Sequence, residues 1–109
     1  MDKFKVRKLI DELEAEINNG GFDQFFFNSA GDNTSETITA LRAVGANHTA
    51  SIVAAAASKF PNGMAPTSRD LRQELLESVS PDSDAFQEQD QEFLAYKDNL
   101  SALVSAYAG

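Results

Sequence analysis

Between Lys3 and Asn18 the apolar residues Val6, Leu9, Ile10, Leu13 and Ile17 recur at intervals of three and four, while Lys8, Asp11 and Glu12 fall elsewhere. That spacing lays one apolar stripe along a helix and does not fit a half-buried strand, whose apolar residues alternate. The same period returns further on. Ile38, Leu41 and Val44 follow it, then Thr49, Ile52, Val53, Ala56 and Phe60, then Leu71, Leu75 and Val79. No segment alternates between turns as a strand does. The chain is therefore expected to be all-α, a compact bundle of about five or six helices around one core.

Turn residues set the expected boundaries. The first helix should stop at Asn18-Asn19-Gly20-Gly21, which tolerate left-handed backbone. Phe22 to Asn28 then reads as a short helix with Phe22, Phe25 and Phe26 on one side and Phe27 on the other. Packing on both sides, with Phe27 buried, is the favoured expectation; the alternative is an apolar patch at Phe27 that a second chain covers. Asn33 and Glu36 have the spacing of a capping box, and Gly45 should end the helix they begin. Pro61, Gly63 and Pro66 mark a linker between two helical subgroups of one domain. Thr67 and Asp70 suggest a second cap, for a helix that Pro81 closes. A last helix from about Asp84 to Tyr107, with Phe86, Phe93, Tyr96, Leu100, Leu103, Val104 and Tyr107 on one face, is expected to be the longest.

A chain of 109 residues is too short for two independent cores, so residues 1–109 should form one domain. Without cysteine it has no thiolate nucleophile, disulfide or cysteine-based zinc site. His48 is the lone histidine, at an expected helix start, where a surface or capping position is the simplest reading. Asp82-Ser83-Asp84 begins like a calcium loop, but Phe86 and Gln87 occupy the places of a ligand and a glycine. Glu12 and Glu16 share a helix face, as solvated carboxylates commonly do. No catalytic residue, metal site or cofactor is expected. Charge interrupts the segment from Met1 to Glu16, and no apolar run has the ~20 residues of a membrane span. No membrane association is expected, and the expected address is the cytoplasm.

Seventeen acidic against nine basic residues give a formal charge of -8, a field that opposes direct binding of nucleic acid. The excess is uneven: residues 61–109 hold nine acidic and three basic residues, residues 1–60 eight and six. Asp70, Glu74 and Glu77 follow one side of one expected helix, and Asp84, Glu88 and Asp98 the side of the last one opposite its aromatic stripe. These six are the candidate partner-binding residues. Two such rows could imitate the charge of a nucleic-acid backbone, or simply be wet helix faces that keep an acidic domain soluble.

The stretch from Glu16 to Asp32, carrying Asn18-Asn19-Gly20-Gly21-Phe22, Gln24, Phe26, Asn28, Gly31 and Asp32, resembles the hallmark of a bacterial domain-of-unknown-function family that includes an acidic DNA-mimic protein. Gly45-Ala46, Phe60-Pro61 and the ending from Tyr96 to Tyr107 are similar to that family as well. The resemblance implies a compact helical fold, self-association as a homodimer, and a DNA-binding protein as partner, held through its basic surface. Being turn residues and phenylalanines, the hallmark positions imply a role in the fold rather than an active site. Three functional readings follow: a non-enzymatic acidic domain that occupies a basic surface; an immunity-type or phage-related antagonist working by shape, anchored by Phe27 or Met64; and an enzyme using Asp or Glu, which would need a suitable pocket.

Overall fold

The computed structural model describes residues 1–108, and all regular structure among them is helical. Helix α1 spans Lys3–Phe27, α2 Thr34–Ala43, α3 Asn47–Ala57, α4 Arg69–Val79, α5 Gln87–Leu94 and α6 Leu100–Ala108, with 3-10 turns at Ser29–Asn33 and Pro61–Gly63. Asp2 starts α1 by accepting from the amides of Phe4 and Lys5, two of the donors a helix leaves unpaired at its N-terminus. The stripe read from the sequence is the buried one, since Val6, Leu9, Ile10, Leu13 and Ile17 all pack into the core. The faces expected for α2 and α3 are buried too.

Four helix ends or caps differ from expectation. Helix α1 does not stop at Asn18-Gly21. Gly21 takes φ 73° and ψ -168°, which kinks the helix, and the chain resumes helical geometry through Phe27. The resumed segment is capped from a distance, by Asp90 Oδ1 of α5 accepting from the Phe22 amide at 2.8 Å. With 25 residues α1 is thus the longest helix. The helix expected over residues 84–107 is two helices instead, because the chain turns between them with Tyr96 at φ 47° and Asn99 Oδ1 accepts from the Ala102 amide at 3.1 Å to cap α6. The capping box also fails: Asn33 makes no side-chain cap bond, and Glu36 pairs with Lys5 across to α1. Ser68, rather than Thr67, caps α4.

One core cluster draws on all six helices. Phe26 is central to it, with the rings of Phe60, Phe86 and Phe25 at 5.0, 5.2 and 5.3 Å. Phe22 extends the cluster to Phe93 at 6.2 Å. Burying each such ring contributes about 1.5–3 kcal/mol, and each edge-on pair about 0.5–1.5 kcal/mol more. Phe27 departs from the expectation of burial. It lies one residue round the helix from Phe26 and remains 53% exposed.

A candidate protein-binding groove

The last carbonyls of a helix have no partners within it. In α1 they are satisfied from α4: Arg72 Nε donates to Phe26 O at 2.6 Å, Gln73 Nε2 to Phe27 O at 2.8 Å, and Arg72 Nη2 to Asn28 O at 2.9 Å. The same guanidinium donates to Pro66 O at 2.9 Å and to Asp32 Oδ1 at 2.7 Å. Its side chain has no exposed surface. A planar fork of five donors suits this ring of acceptors as an ammonium would not. Gly31 makes room for it, because a Cβ there would lie 2.8 Å from Arg72 Nε and 2.7 Å from Phe25 O. Asp32 also accepts from Arg69 Nη2 at 2.8 Å, and the hydrogen bonds from Arg69 and then Arg72 hold its carboxyl at about 2.

The other hallmark residues are joined within the fold. Asn18 Nδ2 donates to Glu14 O at 2.7 Å and to Tyr96 Oη at 2.9 Å, tying α1 to the turn between α5 and α6. Asn19 Nδ2 donates to Gln24 Oε1 at 3.1 Å, and Asn28 Nδ2 to Glu16 Oε2 at 3.0 Å. Gly21 is demanded twice, by its positive φ and by the 2.5 Å that would separate a Cβ from Asp90 Oδ2. Burial pushes the Asp90 carboxyl above its ordinary value, the Phe22 amide pulls the other way, and the charge of Asp23 adds to the rise. Sequence reasoning missed both hubs, Arg72 and Asp90. Neither carries a local signal beyond being a charged residue beside an apolar stripe.

Arg72 also sets the rotation of α4. Of the expected stripe, Leu75 and Val79 pack half-buried against the core, whereas Leu71 is 47% exposed and the fully buried positions are Arg72 and Leu76. This orientation leaves an open groove of about 990 Å³ between α4 and the second segment of α1. Asp70, Glu74 and Glu77 line it from α4, Asp23 and Phe27 from α1, and Leu76 contributes buried apolar surface. No lysine, arginine or histidine lines it. The two cations of α4, Arg69 and Arg72, are both paired with Asp32.

The six candidate partner-binding residues therefore separate. Asp70, Glu74 and Glu77 share the groove. Asp84 and Glu88 are exposed, on the connection to α5 and on α5, but do not line it. Asp98 belongs elsewhere: its Oδ2 accepts from the Thr49 amide at 2.8 Å and from Thr49 Oγ1 at 2.9 Å, capping the start of α3. This departs from the expected outward row. His48 is exposed in the first turn of α3. Met64 is 43% exposed and lies outside the groove. Among the described residues no group of three or more His, Asp and Glu is placed to hold a metal ion, and no helix is long and apolar enough to cross a membrane.

The sequence model of the DMP19-like protein family matches residues 5–108, a span that takes in all the hallmark contacts and both walls of the groove. The chain belongs to the DMP19-like protein family. This is the family that the Asn18 to Asp32 stretch resembles, and the DMP19-like hallmark residues serve the fold. Gly21 makes the kink in α1, Asn18 ties that helix to Tyr96, and Gly31 and Asp32 receive the buried Arg72 of α4. Comparison with curated proteins finds no match, and comparison with solved structures finds none either.

Proposed function

We propose that this domain acts without catalysis, as an acidic protein-binding module that occupies the basic surface of a DNA-binding protein in the manner of a DNA mimic. The carrying observation is the row Asp70, Glu74 and Glu77, set opposite Asp23 along a groove with no basic residue in its lining. At ~1.5 Å rise per residue these carboxylates step about 6 and then 4.5 Å along the axis, the same order as the ~3.4 Å axial spacing of phosphates in one DNA strand. The row is held firmly, because Arg72 and Gln73 bind α4 to the end of α1. Asp84 and Glu88 add to the field from exposed positions beyond the groove.

Asp70, Glu74 and Glu77 are solvent-exposed, whereas acid and base chemistry favours carboxylates in a desolvated cleft. That supports binding over an enzymatic role. The reading is tested by immobilising the protein, passing bacterial lysate over it, and eluting with rising salt or with duplex DNA. A DNA-binding protein released by both supports it, since an interface resting on screened charge weakens with salt. Retention indifferent to salt, and unaffected by Glu74→Gln with Glu77→Gln, would refute it.

A second reading is favoured by one observation, the exposed Phe27 ring in the groove. An antagonist that works by shape would depend on that ring and little on the carboxylates.

A further inference from the structure

We infer that the groove between α4 and the second segment of α1 receives a basic amphipathic helix of the partner, which sets one apolar side chain against Phe27 and its Lys or Arg side chains against Asp70, Glu74, Glu77 and Asp23. The inference rests on the proposed function and narrows it from a basic surface to a helix with an apolar anchor.

Geometry and charge together carry it. Phe27 is 53% exposed although its neighbours Phe25 and Phe26 are buried, and its own carbonyl accepts from Gln73 Nε2 at 2.8 Å, which holds the backbone that carries the ring against α4 at the groove wall. The carboxylates of α4 stand at positions i, i+4 and i+7, the repeat at which a second helix lying alongside would offer its own side chains. A trough between two packed helical segments is the shape into which a third helix fits. Charge complementarity selects the occupant, because no cation lines the groove and Arg69 and Arg72 are bound to Asp32. A surface built only to imitate phosphates would leave Phe27 wet; a helix with one aliphatic residue among its cations covers it.

The test uses the full chain and two synthetic helical peptides, each with Lys or Arg at i, i+4 and i+7, one with a central Leu on that face and the other with Ser in its place. Fluorescence anisotropy at low and moderate salt should show the Leu peptide binding about tenfold more tightly, the scale of one well-packed apolar anchor. Phe27→Ser should abolish that difference with only a small change in thermal unfolding, since about half of the residue already faces solvent. Glu74→Gln with Glu77→Gln should weaken both peptides alike. Equal affinity of the two peptides, or a difference that survives Phe27→Ser, overturns the inference. If in that case the double Gln variant still weakens both peptides, or lysate capture still yields a salt- and DNA-released partner, the acidic reading stands without it. Self-association in sedimentation that is lost on both Phe27→Ser and Phe4→Ser would make a second copy the occupant, since Phe4 is 86% exposed between Lys3 and Lys5, and would equally overturn it.

Discussion

Arg72 and Asp32, forty residues apart in the chain, meet at 2.7 Å with the arginine side chain wholly buried. This contact joins the hallmark stretch to α4 and so fixes the helix that carries the groove's carboxylates. Arg72→Met should be strongly destabilising, because Asp32 and the carbonyls of Phe26, Asn28 and Pro66 all lose a donor. A loss of about 3–5 kcal/mol is expected, seen as a lower urea midpoint. Arg72→Lys should recover little of it, having no fork to span the acceptors. A midpoint within error of the unmutated chain would contradict the account.

Acidification should act through the same pair. The carboxyl of Asp32 is held at about 2, below its ordinary 3.8, so its stabilising contribution is complete above the unfolded value and is lost as pH falls from about 5 towards 2. Asp90 is raised by burial and has the opposite sign, adding stability at low pH that fades as pH rises through its folded value. Urea midpoints measured from pH 7 down to 2.5 should therefore fall on the acid side, and Asp32→Asn should be weaker at neutral pH with a shallower acid limb. An acid limb parallel to that of the unmutated protein would assign the fall to other groups.

The kink at Gly21 makes a prediction about coupling. Gly21→Ala forces a side chain into a backbone region that is essentially glycine's own, at about 1–3 kcal/mol, and places its Cβ against the Asp90 carboxylate. Asp90→Ala alone should cost about 0.5–2 kcal/mol through the lost cap on Phe22. In the double variant the clash is gone, so the two losses should sum to more than is observed; strict additivity in thermal unfolding would mean that no contact links the sites.

Asp98 and the groove carboxylates should part company experimentally. Asp98→Ala removes the cap on Thr49 and is expected to lower stability by about 0.5–2 kcal/mol while leaving partner capture intact. Glu74→Gln with Glu77→Gln should do the reverse, weakening capture at low salt with little change in melting temperature, because both side chains face solvent. If Asp98→Ala impairs capture as much as the double variant at a temperature where both are folded, the groove is not the interface.

Local periodicity by itself determined the all-α class, the buried stripe of α1, the faces of α2 and α3, and the aromatic core around Phe22, Phe25 and Phe26, because a helix buries whichever residues share one side of it. It placed Asp70, Glu74 and Glu77 on one side of α4 for the same reason. Composition and charge asymmetry pointed to a basic partner. Tertiary structure decided the rest: that α1 continues past Gly21, that the last helix is two, that Phe27 stays in the open, and that Asp98 turns inward to Thr49. In three of these the deciding partner lies far along the chain, Asp90 for Phe22, Tyr96 for Asn18 and Thr49 for Asp98. Buried Arg72 is the extreme case. A charge is tolerated in a core only when acceptors converge on it, and the five that do so come from the end of α1, the turn after it and the loop at Pro66 and Thr67, which only folding brings together.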